Sequence, residues 1–196
     1  HGSPRGLHRK YRMNGSSQNS AIHAPRHWFI IVTGLVPLPL PGVFALFWLV
    51  LATFFMWLFG VFSPTVHDQV PGQAGVGFGL FFAFVNPYVI VSGAYVLRES
   101  RALLMALRSS IECDDDTFAA MTQSIETMTV GSFIRTSFFG LSMGFVHLLL
   151  ITGSPAELLH TFSQSLNGLG AVFGTLLTWF CINHLLAIFI RNAHVF

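Results

Sequence analysis

Apolar residues gather in four long runs, Val43 to Phe62, Gly75 to Leu97, Gly131 to Thr152 and Leu169 to Ile190, with polar stretches between them. Each run approaches the roughly 20 residues a helix needs to cross a bilayer. Inside the third, small residues recur every four positions, so that Ser132, Thr136, Gly140 and Gly144 share one helical face. The last run repeats the spacing with Gly170, Gly174 and Thr178, and Ala171 and Thr175 stand beside them. Lipid is as apolar as leucine, so such stripes serve close backbone approach and hydroxyl bonding across a contact. Gly140, Gly144, Gly170 and Gly174 are therefore expected at tight helix contacts, with each other or with a partner chain.

The second run carries Asn86-Pro87, where proline removes a backbone donor and should kink the helix. Beyond Leu97 the helical pattern continues through Leu103, Leu104 and Leu107 until Asp114-Asp115-Asp116-Thr117 stops one helix and caps the next. That next helix repeats Phe118, Met121, Ile125 and Met128, so spans two and three are expected to extend into the cytoplasm as an antiparallel pair. Near the start, His27 to Val36 forms a short apolar piece broken by Pro37, Pro39 and Pro41, read as an interfacial segment with Trp28 at headgroup level. Residues 1–24 show no periodicity and read as a flexible tail. The expected fold is all-α: a polar tail over residues 1–26 and a polytopic membrane domain of four transmembrane helices over residues 27–196.

Composition agrees, with 53% hydrophobic and 9% charged residues against roughly 25% charged in soluble domains. All 10 Lys and Arg fall on one side of a four-span arrangement, which by the positive-inside rule puts both termini in the cytoplasm. The loops around Ser63 to Ala74 and Ser154 to Gly168 then face outward. The net charge of +2 reflects that topology and gives no reason to expect nucleic acid. Cys113 and Cys181 sit at different depths, which argues against a disulfide.

The spans hold no Asp, Glu or Lys, and Arg135 lies close enough to an end to snorkel. Candidate chemistry inside the membrane comes down to His147 and His184, as a ligand or proton relay, and to the hydroxyls of Thr136, Ser137, Ser142, Thr175 and Thr178. His147 and His184 differ in depth by roughly 15 Å at 1.5 Å per residue, so one haem iron cannot take both. No metal-ligand spacing, phosphate loop or nucleophile beside a base appears, so neither a cofactor nor an enzyme activity is expected.

The run Phe138 to Leu149, FFGLSMGFVHLL, resembles the third-helix signature of the MotA/TolQ/ExbB proton-channel family, and Leu169 to Ile190 resembles that family's fourth helix, with Gly174-Thr175-Leu176 over its T-T-L. The intervening loop beginning Ser154-Pro155 has the family's length. Leu141 stands where the family has threonine, with Ser142 next to it, and Ile134 where it has a proline; the portion between spans two and three is short for a flagellar stator. The resemblance implies a ring subunit of an ion-driven, proton-driven membrane motor of the bacterial inner membrane. In that family a homopentamer surrounds single-span partner helices that supply an intramembrane aspartate. It implies an ion path past Thr136, Ser142, Thr175 and Thr178. Two other classes remain open on the residues alone: a pigment- or haem-associated accessory subunit, suggested by His27, His147, His184 and the aromatic content, and a plain membrane scaffold.

Overall fold

The structure is a computed structural model that describes residues 25–58, 72–164 and 166–193. Expectations for the tail over residues 1–24, for the end of the first span and for the loop up to residue 71 lie outside the described residues. Among the described residues seven α-helices follow one another: α1 (Trp28–Gly34), α2 (Leu40–Leu58), α3 (Gly72–Ala106), α4 (Asp115–Glu126), α5 (Val130–Thr152), α6 (Pro155–Gln164) and α7 (Leu166–Ala193). Four of these, α2, α3, α5 and α7, are long and apolar enough to cross a membrane. Among the described residues there is no strand, only a single antiparallel bridge between Arg26 and Thr127.

The membrane-long helices pack in the order α2, α3, α7, α5, and the end of α2 also reaches α7, where the Phe54 and Phe55 rings meet Phe173. Residue pairs give their directions. Gly144 meets Leu176, Gly140 meets Phe180 and Ser137 meets His184, sums of 320, 320 and 321, so α5 and α7 run antiparallel. Phe82 meets Gly174 and Ser100 bonds Asn192, and both pairs differ by 92 (174 − 82 and 192 − 100), so α3 and α7 run parallel in fixed register. The main core joins Phe29 of α1, Val89, Ile90, Ala94 and Leu97 of α3, and Cys181 and Ile188 of α7.

Local chemistry sets the helix ends. Asp114 caps α4, its carboxylate accepting the Thr117 amide at 2.6 Å, which also holds that carboxyl below the usual range. At the far end of α4 the chain does not run on into the third span as one helix. Thr127 turns extended to pair with Arg26, and Thr129 caps α5 afresh by accepting the Ser132 amide at 3.2 Å. α3, at 35 residues, is about 52 Å long and exceeds a hydrocarbon core of about 30 Å. Its last turns carry α4 back along it, bridged by Arg101–Glu126 and Arg108–Asp115.

One expectation changes. The segment after Ser154, expected as a loop, holds helix α6, started by Pro155 at its first position and by Ser154 Oγ accepting the Glu157 amide at 3.1 Å. α1 is anchored to the bundle by Phe29, which is fully buried, its ring filling the space a side chain at Gly93 would need.

Candidate functional site

The two glycine stripes serve different neighbours. A Cβ at Gly140 would stand 3.0 Å from the Trp179 carbonyl oxygen and 3.1 Å from Phe180 Cα, and one at Gly144 would stand 3.0 Å from Leu176 Cδ2. These glycines seat α5 directly on the α7 backbone. On α7, Gly174 faces α3, where a Cβ would lie 2.4 Å from the Phe82 ring; Gly170 is buried one turn before it.

Packing decides where the polar candidates go. Ser132, Arg135 and Thr136 of α5 and Asn183 of α7 line a groove of about 360 Å³ on a flank of the α5–α7 pair, with Phe139 and Leu186 among its apolar walls. Asn183 donates to its own Trp179 carbonyl at 2.9 Å, and Arg135 to the Gly131 carbonyl at 3.3 Å. Thr175 lies eleven residues before Leu186, within about 20° of the same line along α7 at 100° per residue, and is buried. Thr178 is buried too. The register of α3 and α7 sets it level with Asn86 (178 − 92 = 86), and that of α5 and α7 level with Ser142 (320 − 178 = 142). Ser142, two residues after Gly140, stands about 200° around α5 and so on the side away from α7. Of the four hydroxyls expected to share a path, Thr136 lines the groove, Ser142 turns away from α7, and Thr175 and Thr178 are buried, Thr175 level with Phe145 (320 − 175 = 145), about 14 Å along α5 from Thr136.

Asn86 forms part of a second polar feature. It is fully buried, its amide donates to the Phe82 carbonyl at 2.9 Å, and its Oδ1 has no partner, as also holds for Thr178 Oγ1 at the same level. Pro87, one residue on, leaves the Ala83 carbonyl without its helical donor. Unpaired acceptors and a hydroxyl thus share one level of the α3–α7 contact, one turn beyond the Phe82–Gly174 approach.

The third feature is a nest of rings at the end of the bundle where α1 begins. His184 Nε2 and Ser137 Oγ are 3.1 Å apart. The His184 ring lies 6.0 Å from His27 and 5.5 Å from Trp28, centroid to centroid. His27 caps α1 by accepting the Phe29 amide on Nδ1 at 3.3 Å, which places the proton of the neutral ring on Nε2. Burial, then the charge of Arg191 and the neighbouring His184, push its pKa down to about 3. Arg191 closes this end, bonding the Thr127 carbonyl and, at 2.6 Å, the Ile125 carbonyl.

His147 sits apart from that nest. Its Nδ1 accepts from Trp179 Nε1 at 2.9 Å, so the neutral ring carries its proton on Nε2, the nitrogen that would have to be free to ligate an iron from the exposed side. Among the described residues no group of three His, Cys, Asp or Glu side chains is placed to hold a metal.

No protein-family model, curated protein or solved structure matches this chain. Function must therefore be argued from the polar features themselves. Asn183, Asn192 and the partnership of His27 with His184 escaped the reading of the sequence. The Asn183-His184 pair inside an apolar run was a visible signal. The pairing of His27 with His184, so distant along the chain, was not.

Proposed function

We propose that this chain is a ring subunit of an ion-driven membrane motor of the MotA/TolQ/ExbB kind, and that the groove between α5 and α7 receives a partner's single transmembrane helix. The observation carrying this reading is the groove itself. Ser132, Thr136, Asn183 and the cation Arg135 line it, with Phe139, more than half exposed, on its wall. Polar groups facing hydrocarbon cost several kcal/mol, so a face of this kind calls for a cover that brings polar chemistry of its own. A partner carboxylate suits it. Arg135 supplies the opposite charge, Thr136 can donate to the carboxylate or accept from a hydronium, and the amide of Asn183 lines the same wall. The chain has no acid of its own within α2, α5 or α7. Protonation and release of the partner's acid would then step the ring about it, and five copies would close the assembly. Both termini would lie on the side that holds the basic residues.

A photo-crosslinker placed at Phe139, on the groove wall, tests the reading in intact membranes. The expected product joins this chain to a single-span protein with an acidic residue in its membrane segment, and Thr136→Val abolishes proton flux through the reconstituted complex while the crosslink persists. Crosslinks to lipid alone, or flux undiminished in Thr136→Val and Asn183→Leu, would overturn it.

A further inference from the structure

A larger groove runs between the first half of α2 and α3, at the opposite end of the helix order from α5. It encloses about 840 Å³ and changes character along its length: Phe44, Phe84 and Tyr88 form one end, Tyr95, Arg98 and Glu99 the other. The aromatic walls are braced, with Phe44 edge-on to Phe84 at 5.6 Å and Phe84 stacked on Tyr88 at 6.2 Å. From Phe84 to Glu99 is 15 residues of α3, about 22 Å at 1.5 Å per residue. That is the depth of a single leaflet, half of a bilayer of about 40–45 Å.

Its polar end holds both signs of charge. The ion pairs of the described residues join Arg101 to Glu126 and Arg108 to Asp115, so neither Arg98 nor Glu99 has a charged partner within the described chain. An occupant that fits must be apolar for the depth of one leaflet and must end in an anion beside a cation. We infer that the groove binds one zwitterionic glycerophospholipid with a primary-amine headgroup. The acyl chains lie along Phe44, Phe84 and Tyr88. The phosphate meets the Arg98 guanidinium and the Tyr95 hydroxyl, and the ammonium donates to the Glu99 carboxylate. A purely anionic headgroup would face Glu99 across the site, and a trimethylammonium has no N–H to give it.

Native mass spectrometry of the purified full chain tests this, using phospholipids of identical acyl chains and ethanolamine, choline or glycerol headgroups. The ethanolamine lipid is expected to bind as a single adduct about tenfold more tightly than the other two, the worth of a charge-assisted hydrogen bond. Glu99→Gln should erase the preference for ethanolamine over choline, and Arg98→Gln should weaken all three lipids. Both side chains are exposed, so neither change threatens the fold. Equal binding of the three headgroups, a preference for glycerol, Glu99→Gln that leaves the preference intact, or a chain dimer without a lipid adduct would each overturn the proposal.

Discussion

The contact between α5 and α7 makes a quantitative prediction, because one substitution should change sign with position. Gly→Ala in a helix interior gains about 0.5–1 kcal/mol by reducing backbone freedom in the unfolded chain. At Gly77 a Cβ would meet nothing within 4 Å, so the gain should appear in full. At Gly140 the same methyl lands 3.0 Å from the Trp179 carbonyl oxygen and 3.1 Å from Phe180 Cα. Both are backbone atoms of α7, which can yield only if the helix moves, and overpacking of that kind costs about 1–3 kcal/mol. Gly140→Ala should therefore lose about 1–2 kcal/mol net. Gly144→Ala should fall between, since its nearest neighbour, Leu176 Cδ2 at 3.0 Å, is the movable end of a side chain. Reversible unfolding in mixed micelles, followed by tryptophan fluorescence, gives the three values on one scale, and Trp179 lies in the contact being disturbed. The expected order of stability is Gly77→Ala, wild type, Gly144→Ala, Gly140→Ala. A Gly140→Ala protein as stable as Gly77→Ala would show that the glycine stripe does not set the approach of these helices.

Two further outcomes follow from the end of the bundle where α1, α4 and α7 meet. His27 has a folded pKa of about 3 against 6.5 for the free ring, so between those values the unfolded chain holds a proton that the folded chain refuses. Its contribution is complete above pH 6.5 and lost as pH falls toward 3, by up to about 1.4 kcal/mol per pH unit. His27→Asn, which keeps a capping acceptor, should flatten the stability curve in that window, and an unchanged slope would contradict the assignment. Arg191→Gln, which forfeits the charged bonds to the Thr127 and Ile125 carbonyls, should cost about 2–3 kcal/mol. Hydrogen exchange should then speed up at the His27 and Met128 amides, which bond the Glu126 and Pro25 carbonyls across the same junction, while exchange in α2 stays as it was.

The membrane-long helices were readable because bilayer thickness imposes a length that local composition reveals. The Asp114 cap was readable for a similar reason: it acts on its own next turn. Ser154-Pro155 with Glu157 offers an equally local helix start, but α6, at 10 residues, is too short to stand out as a periodic run. What could not be read was which faces meet. Gly140 and Gly174 carry the same spacing signal, but one abuts α7 and the other α3, and nothing in either stripe distinguishes the two neighbours. Likewise Ser142 and Thr136 looked equivalent as hydroxyls until packing turned one toward α7 and the other away. The burial of His27 is equally illegible locally, because His184 and Arg191, which surround it, are contributed by α7.

The junction of Arg26 with Thr127 also has a consequence for biosynthesis. Its two strands of chain lie 101 residues apart (127 − 26), and α1 has its neighbours on α3, α4 and α7. At about 5–20 residues per second, a ribosome needs about 5–20 s to deliver the second strand after the first. Arg191, which bonds the Thr127 and Ile125 carbonyls, follows only after a further 64 residues. The first helix of the described residues is thus among the last of them to be seated. Until then Phe29 and Trp28 must be sheltered by lipid or by the insertion machinery, and a chain stalled before its last helix would present that aromatic face to quality control.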